Sequence, residues 1–372
     1  MQQEIKDPQT QTTILIVILF LIILATLRRK KTDDRLFPIS LTQELKGFAI
    51  LTIVFGHIGY FLDSQDKFLY PLSIASGVGV NIFLFLSSYG LTISTLKKKM
   101  SILTFFRKRL FRLFLPMWII ITTLLVLDWF ILGVTYDRKT ILQNLLGFFP
   151  VADIYTSINS VLWYFTFILF YYVIFSFFSI SKILLLISPF AIFFISTLLL
   201  KQDLPINKDV LKLYELHIHA FPAGLFAALI PSYMRLIPHT HKLLAKTVQF
   251  LKLHHIIINI TLLTIATYIF IYTAINSGIG KTVETEQMIS MISTSSIIFF
   301  FVIKRFNSRA LEFLGIFSYE IYLLHWPLVY RYDFLYKHLP ASIATILYFI
   351  ILIAVGWSLQ KASNKIAKLL RI

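Results

Sequence analysis

The stretch Val161–Ile180, VLWYFTFILFYYVIFSFFSI, holds twenty residues without a charged side chain. A transmembrane helix needs about 20 apolar residues, so this stretch predicts a membrane span. The rest of the 372-residue chain has the same character, because 57% of all residues are hydrophobic, 16% are aromatic and only 14% are charged. Such proportions exclude an ordinary soluble protein and predict one that crosses a membrane several times.

Apolar runs of this kind predict an all-α, polytopic transmembrane helical bundle. We expect eleven membrane-spanning helices, of which the first is short. The expected ranges are 12–27, 44–62, 72–96, 112–133, 159–180, 183–200, 216–234, 255–274, 288–303, 311–330 and 341–360. By this interpretation residues 1–40 form an N-terminal membrane anchor with a basic linker, and residues 41–372 form one membrane domain.

The charge distribution argues against a nucleic-acid partner and for a defined orientation. The net charge of +17 is spread between the apolar runs and does not gather on one face of a soluble domain. If the amino terminus lies outside, 25 of the 35 basic residues fall in cytoplasmic segments, as the positive-inside rule expects. We therefore expect a multi-pass protein of the cytoplasmic cell membrane, with the amino terminus outside and the carboxyl terminus in the cytoplasm.

The first apolar run does not have the pattern of a cleaved signal peptide. Its basic residues, 28–31, follow the run instead of preceding it, and no small-residue cleavage site stands out. The run therefore predicts a membrane anchor.

Four ionisable residues lie inside the predicted spans, namely His57, Asp128, Glu320 and His325. A charged side chain costs about 2.5–3.5 kcal/mol at the centre of a span unless it is paired or hydrated, so the four predict a polar cavity inside the bundle. A hydrogen bond to a neighbouring helix explains any one of them alone equally well. Asp128 in particular either orients an imidazole or caps a helix interface.

Lys46 precedes His57 by eleven residues. Eleven residues bring a helix back to within about 20° of the same face and rise about 16 Å along its axis. We therefore expect Lys46 at the cytoplasmic membrane edge and His57 deeper in the membrane. A buried neutral imidazole suits the role of a general base for a sugar hydroxyl.

A second basic group lies in the stretch Phe105–Pro116, FFRKRLFRLFLP, which we expect at the cytoplasmic entry to a helix. Arg109 and Arg112 are three residues apart and so share a helix face. Guanidinium groups match phosphate oxygens in a bidentate geometry, so the pair, together with Lys46, predicts a site for a phosphorylated substrate. Attraction to anionic membrane lipid is the simpler alternative.

The sequence offers little support for a metal site. There are no cysteines, which excludes disulfides, thiol nucleophiles and cysteine-ligated metal. The histidine pairs His217/His219 and His254/His255 lack carboxylates at a fixed spacing, so we expect interfacial histidines and no bound metal.

Five motifs follow one another along the chain, namely Lys46-x10-His57, Gly77–Leu91, Phe106–Pro116, Leu162–Phe165 and Phe317–Leu328. Together they cover most of the chain from about 40 to 330. In this order they resemble the membrane-bound acyltransferase family 3, which includes bacterial O-acetyltransferases of peptidoglycan, O-antigen and exopolysaccharide.

The resemblance implies an O-acyltransferase that takes acetyl, or another short acyl group, from cytoplasmic acyl-CoA. The implied acceptor is a hydroxyl of a cell-envelope glycan or lipid-linked sugar. By motif, His57 is the essential histidine, Lys46 fills the basic position before it, and Arg109 and Arg112 match paired arginines that handle the phosphates of coenzyme A. Further candidates for positioning the substrates are Asp128, Tyr164, Glu320 and His325.

The resemblance implies ten core helices, so the helix at 12–27 is extra to them. Ser88 also departs from the family pattern, because it occupies a position that is usually glycine. Family members that modify peptidoglycan carry a hydrolase-like domain as well; we expect none after this bundle, and therefore direct transfer or a separate envelope-biosynthesis partner.

Three questions stay open at this stage. His57 acts either as a general base or as a transient acyl carrier. Buried ionisable residues are also typical of a transporter or flippase for a polysaccharide intermediate, although such proteins often carry inverted repeats and we find none. A scaffold that has lost catalysis is the third alternative, against which the presence of His57 and both arginines argues.

Overall fold

The computed structural model describes residues 4–30, 37–62, 67–98, 101–236, 255–277 and 282–369, and most of them are helical. Ten helices of this described part are long and apolar enough to cross a membrane. The predicted all-α, polytopic bundle is therefore confirmed.

The α-helices are numbered α1 to α14 in chain order. The first seven are α1 Pro8–Ala25, α2 Ile39–His57, α3 Ser76–Lys97, α4 Ile102–Leu127, α5 Arg138–Leu145, α6 Trp163–Phe178 and α7 Lys182–Leu200. The next seven are α8 Lys208–His217, α9 Ala220–Leu236, α10 His255–Asn276, α11 Val283–Ile303, α12 Arg309–Ile316, α13 Ser318–Trp326 and α14 Ala341–Leu369. One turn of π-helix extends α2, α4 and α13, through Leu62, Leu132 and Arg331 respectively. Two short strands, β1 Leu27–Arg29 and β2 Phe306–Ser308, pair antiparallel.

The predicted span 311–330 is wrong as one continuous helix. The chain leaves helical geometry at Phe317, with φ −103° and ψ 10°, so α12 and α13 are separate. The hydroxyl of Ser318 donates to the carbonyl of Gly315 at 3.0 Å, which satisfies a carbonyl that the broken helix leaves open. Hydropathy does not reveal this break, because the run 311–330 as a whole is apolar enough to predict a membrane span.

Helix α12 crosses the first half of α2 at very short range, and two glycines make this possible. A Cβ atom at Gly47 would lie 2.0 Å from the carbonyl oxygen of Leu311, and one at Gly315 would lie 1.9 Å from the carbonyl oxygen of Gln43. Each glycine thus sits against the other helix's backbone, as in close helix contacts within membranes. The contact holds α12, and with it the start of α13, against the Lys46 half of α2.

Among the other boundaries that differ from prediction, two bear on the site. Helix α4 begins at Ile102 and not near 112, because Ser101 caps it by accepting a hydrogen bond from the amide of Thr104. The arginine-rich stretch therefore lies within the helix. The predicted span 216–234 is divided into α8 and α9 by a turn after His217.

Ionic and backbone contacts near the Lys46 end of α2 join three parts of the chain, namely α2, the segment after α1 and the segment after α11. Nζ of Lys304 lies 2.7 Å from Oε1 of Glu44, and both side chains are buried. Glu44 also accepts a hydrogen bond from the amide of Ser308, in β2. Nζ of Lys30, which follows β1, donates to the carbonyl of Val302 at 2.7 Å. The strand pair thereby links the N-terminal segment to α11 and α12.

The extra helix α1 lies at the edge of the bundle. Most of its apolar side chains are exposed, as expected for a helix that faces lipid, whereas Thr12 and Leu15 are buried. The hydroxyl of Ser342 in α14 donates to Oε1 of Gln11 at 2.6 Å. The division of the chain at residues 40 and 41 stays a prediction.

Candidate active site

Two histidines from different helices meet inside the bundle. His57 is the last residue of α2, and His325 lies at the end of α13. Nε2 of His325 is 3.3 Å from Nδ1 of His57, and the ring centroids are 4.8 Å apart. The indole of Trp326 packs against the His57 ring with centroids 5.4 Å apart. The fold thus joins two of the four ionisable residues that the sequence places within spans.

Backbone carbonyls define which nitrogen of each ring carries a proton. Nδ1 of His57 lies 2.9 Å from the carbonyl oxygen of Ile53, and Nδ1 of His325 lies 2.8 Å from that of Tyr322. A carbonyl oxygen only accepts hydrogen bonds, so both Nδ1 atoms donate. In a pair of neutral rings, Nε2 of His325 shares the Nδ1 proton of His57. The lone pair of His57 then lies on Nε2, where a general base requires it.

His57 lines a chamber of about 550 Å³, which we call the histidine chamber. The wall contains hydroxyl groups, a second imidazole and a carboxylate, all of which can hydrogen-bond to a polyhydroxylated ligand. The polar side chains of the wall, apart from His57 itself, are those of Tyr60, Ser76, Ser160, Lys212, His217, Ser277, Glu286, Ser290 and Ser293.

A second cavity of about 370 Å³ contains the cations Lys46 and Arg109, and we call it the cation cavity. It lies beside the Lys46 half of α2 and receives side chains from α3, α4, α6 and α13. Its hydroxyl groups come from Thr42, Ser87, Tyr164, Tyr172, Ser318, Tyr319 and Tyr322. Two cations with several hydroxyl donors suit the oxygens of a phosphorylated ligand.

The two cavities share part of their walls. Ile53 and Val80 line both, and Ile53 is one helical turn before His57 on α2. A ligand held by Lys46 and Arg109 therefore needs to extend past Ile53 to reach the imidazole. The arrangement puts a phosphate-type site and an acid–base site on neighbouring cavities.

Two of the predicted positioning residues lie beside the cation cavity. Tyr164 lines it, and its ring centroid is 5.6 Å from that of Tyr322. Glu320 is buried and lies within electrostatic range of Lys46. The negative charge on Glu320 offsets part of the positive charge that Lys46 brings into the bundle.

The structure separates the two predicted phosphate-binding arginines. Arg109 faces the cation cavity, and its guanidinium lies 3.5 Å from the hydroxyl of Ser94. Arg112 is exposed and is not among the residues that line the cavity. The 60° difference that three residues make on a helix is enough to turn one side chain inward and the other outward.

Asp128 caps an interface at the His57 end of the bundle. Its carboxylate pairs with Nη1 of Arg331 at 2.6 Å and accepts hydrogen bonds from the hydroxyls of Tyr136, at 2.7 Å, and Tyr332. Burial and the Asp128 carboxylate raise the pKa of Tyr136 to about 12, so its hydroxyl stays a donor. Of the two interpretations of Asp128, these contacts favour the structural one, since they fasten the segment after His325 to α4.

Sequence reasoning missed the polar network around His217. This histidine is buried and lines the histidine chamber, and its ring stacks on Trp163 with centroids 5.8 Å apart at 13°. Nδ1 of His217 lies 2.7 Å from Oδ1 of Asn81 on α3. The His217/His219 pair was the available signal, but the sequence does not show that only His217 faces inward.

The described residues contain no group of three or more histidine, aspartate or glutamate side chains that could hold a metal ion. A polytopic helical bundle in which a buried histidine pair adjoins two polar cavities has the features of an integral membrane enzyme.

Comparison with known proteins identifies the family. The sequence model of acyltransferase family 3, described as an acyltransferase domain, matches residues 45–360. The chain belongs to this family of membrane acyltransferases, and the resemblance inferred from the five motifs is confirmed. The match includes Lys46, His57, Arg109 and His325 and begins after α1. Searches of curated proteins and of solved structures gave no match.

Proposed function

We propose that this protein is an integral membrane O-acyltransferase that moves acetyl, or another short acyl group, from acyl-CoA to a hydroxyl of a cell-envelope carbohydrate. The observation that carries the proposal is the His57–His325 pair, in which His57 lines the histidine chamber, with the cation cavity directly beside that chamber. Membership of the acyltransferase family supports the reaction class. The donor, the acceptor and the role of His57 belong to the proposal.

The cation cavity is the proposed donor site. Lys46 and Arg109 provide two positive charges for the phosphates of acyl-CoA. The thioester end then extends along α2 toward Ile53, where the walls of the two cavities meet. Arg112, which is exposed, would meet only a part of the donor that remains outside the cavity.

His57 is the proposed general base. Its Nε2 takes the proton of the acceptor hydroxyl while the hydroxyl oxygen attacks the thioester carbonyl carbon. A carbon–oxygen bond forms, the carbon–sulfur bond breaks, and the proton passes from Nε2 to the departing thiolate. The products are an ester and the free thiol of coenzyme A. His325 accepts the Nδ1 proton of His57 in a hydrogen bond and so keeps the lone pair on Nε2.

Transient acylation of His57 is the alternative route to the same products. In that route Nε2 itself attacks the thioester carbonyl, and the acyl group then moves from the ring to the acceptor. Both routes use the same nitrogen. Rapid quenching of the protein with labelled acetyl-CoA, in the absence of acceptor, distinguishes them, because only the second route leaves label on His57.

The histidine chamber is the proposed acceptor site. Its hydroxyls, second imidazole and carboxylate suit a sugar, whose many hydroxyls both donate and accept hydrogen bonds. This arrangement supports direct transfer to a glycan or lipid-linked sugar, which we propose as the reaction. A separate envelope-biosynthesis protein that receives the acyl group is the alternative acceptor.

The proposed location is the cytoplasmic cell membrane, with the amino terminus outside. Lys46 and the other residues of the cation cavity then face the cytoplasm, where acyl-CoA is made, and His57 lies deeper. A reporter fused near Lys98 should indicate the cytoplasm, and one fused near Asp137 should indicate the outside. Reversed labels would contradict the orientation.

The decisive experiment uses membranes that contain the protein and radiolabelled acetyl-CoA. Replacing His57 by Ala should lower incorporation of label into envelope carbohydrate by about 10²- to 10⁴-fold, the usual contribution of a general base. His219→Ala is the matched control, because His219 packs on Phe193 and does not line the histidine chamber. Wild-type incorporation by His57→Ala, with failed polysaccharide export, would refute the acyltransferase proposal in favour of a transporter.

A further inference from the structure

We infer that His217 is a residue of the acceptor subsite, where its Nε2 accepts a hydrogen bond from a hydroxyl of the sugar. This inference rests on the proposed function, because it assigns the residues that bind the acceptor of that reaction. It is carried by a polar network that joins α3, α8 and α11 behind the wall of the histidine chamber. That network consists of Asn81, His217, Ser290 and Thr294.

The network defines the orientation of the Asn81 amide. The hydroxyl of Thr294 donates its proton to the carbonyl of Ser290 at 2.7 Å. It is therefore an acceptor toward Asn81, whose Nδ2 lies 3.2 Å away. Nδ2 also donates to the hydroxyl of Ser290 at 2.8 Å. The amide NH₂ thus faces α11, and the amide oxygen faces His217.

The amide in turn defines the tautomer of His217. Since Oδ1 of Asn81 only accepts, Nδ1 of His217 must donate across the 2.7 Å contact. In the neutral ring the lone pair then lies on Nε2. Stacking on Trp163 holds the plane of the ring. The histidine chamber is therefore lined by two imidazoles, those of His57 and His217, that carry their protons on Nδ1.

The surroundings of His217 suit a hydroxyl-bearing ligand. Ser160 lines the same chamber, and its buried hydroxyl has no hydrogen-bond partner among the described residues. An unsatisfied buried polar group is costly unless a ligand completes it. Gly77 leaves space at this wall, because a Cβ atom there would meet Cε1 of His217 and the hydroxyl of Ser290 at 3.7 Å each. Hydrogen-bonding groups around open space are typical of a sugar site and not of a packed core.

A panel of p-nitrophenyl monoglycosides can test this assignment. Purified protein is given acetyl-CoA and each glycoside, and thiol release and the mass of the product are measured. His217→Phe keeps an aromatic ring on Trp163 but removes the acceptor nitrogen. We expect this variant to raise the glycoside KM by about tenfold, the effect of one lost hydrogen bond, and to leave the acetyl-CoA KM within about twofold.

His219→Phe is the matched control, and its glycoside KM should stay at the wild-type value. His219 stacks on Phe193 with centroids 5.0 Å apart and does not line the chamber. Asn81→Leu removes the amide oxygen that accepts the Nδ1 proton of His217. The proton is then no longer fixed on Nδ1, so this substitution also acts through Nε2. Its effect on the glycoside KM should therefore not add to that of His217→Phe in a double-mutant cycle, whereas two independent structural effects would add.

Gly77→Ala provides a test that does not disturb the network. Its methyl group would make ordinary van der Waals contacts with His217 and Ser290 and should raise the glycoside KM by narrowing the chamber. An unchanged glycoside KM in both His217→Phe and Gly77→Ala would refute the subsite but leave the acyltransferase proposal intact. A wild-type protein that acetylates no glycoside would refute the carbohydrate acceptor, and the subsite with it.

Discussion

Nε2 of His325 lies 3.3 Å from Nδ1 of His57, although 268 residues separate the two histidines in the chain. Each ring is also held by a carbonyl of its own helix, at Ile53 and at Tyr322. The relative position of α2 and α13 therefore sets the geometry of the pair. The close contact between α12 and the first half of α2 contributes to that position, since α13 follows α12 directly.

Loss of the hydrogen-bond acceptor on His325 should lower turnover without weakening substrate binding. His325→Phe should reduce kcat by about tenfold, as expected when one hydrogen bond that orients the base is lost. His325→Gln keeps an acceptor oxygen and should lose less. Steady-state kinetics with acetyl-CoA as the varied substrate measure both parameters. A raised KM with unchanged kcat would contradict the orienting role.

Substitutions of Arg109 and Arg112, both in α4, should raise the acetyl-CoA KM to different extents. Arg109→Ala should raise the acetyl-CoA KM by about tenfold or more, because a charged hydrogen bond is worth about 1.5–3 kcal/mol and Arg109 lines the cation cavity. Arg112→Ala should also weaken the use of acyl-CoA more than the use of acceptor, but less than Arg109→Ala does. Acetyl-CoA saturation curves for both variants test this order. An equal or larger effect of Arg112→Ala would place the phosphates outside the cavity.

Much of this site is visible in the sequence, because the membrane makes each buried ionisable residue conspicuous. His57, Glu320 and His325 stand out against apolar neighbours, and the spacing between Lys46 and His57 predicts one common helix face. The basic motif in α4 also marks Arg109 as a candidate for phosphate binding, and its side chain lines the cation cavity. These inferences need only helix periodicity and the cost of burying charge.

The remaining features depend on which helix faces meet, and periodicity does not contain that information. Nothing in the sequence joins His325 to His57 or turns His217, but not His219, toward a cavity. The break at Phe317 is also hidden, because a broken apolar run has the same hydropathy as a continuous one. The break adjoins a tertiary contact, the close approach of Gly315 to the backbone of α2.

Gly47 and Gly315, at the contact between α2 and α12, should not accommodate a side chain without loss of stability. Gly47→Ala and Gly315→Ala each place a methyl group about 2 Å from a carbonyl oxygen, and such overpacking costs about 1–3 kcal/mol of unfolding free energy. Gly90→Ala is the control, since a Cβ there meets nothing within 4 Å. It should be neutral or stabilise α3 by about 0.5–1 kcal/mol. Thermal unfolding in detergent checks all three, and equal melting temperatures would contradict the contact.

The buried ion pair of Glu44 and Lys304 should support the stability of the protein only while both partners are present. Removing one partner leaves the other charge buried, which costs about 3–5 kcal/mol of unfolding free energy. Lys304 also lies over the ring of Phe301, with Nζ 4.1 Å from its centroid, so Lys304→Met should keep most of the apolar packing. We therefore expect Glu44→Gln and Lys304→Met each to lower the melting temperature strongly, and the double variant to recover most of the loss.

The partly exposed pair of Arg28 and Glu312 provides the comparison for this measurement. Arg28 keeps 37% of its side chain exposed, and exposed ion pairs contribute about 0–1 kcal/mol. Arg28→Gln should therefore change the melting temperature little. If the Glu44→Gln/Lys304→Met double variant were as unstable as the sum of its single variants, the two charges would not be coupled.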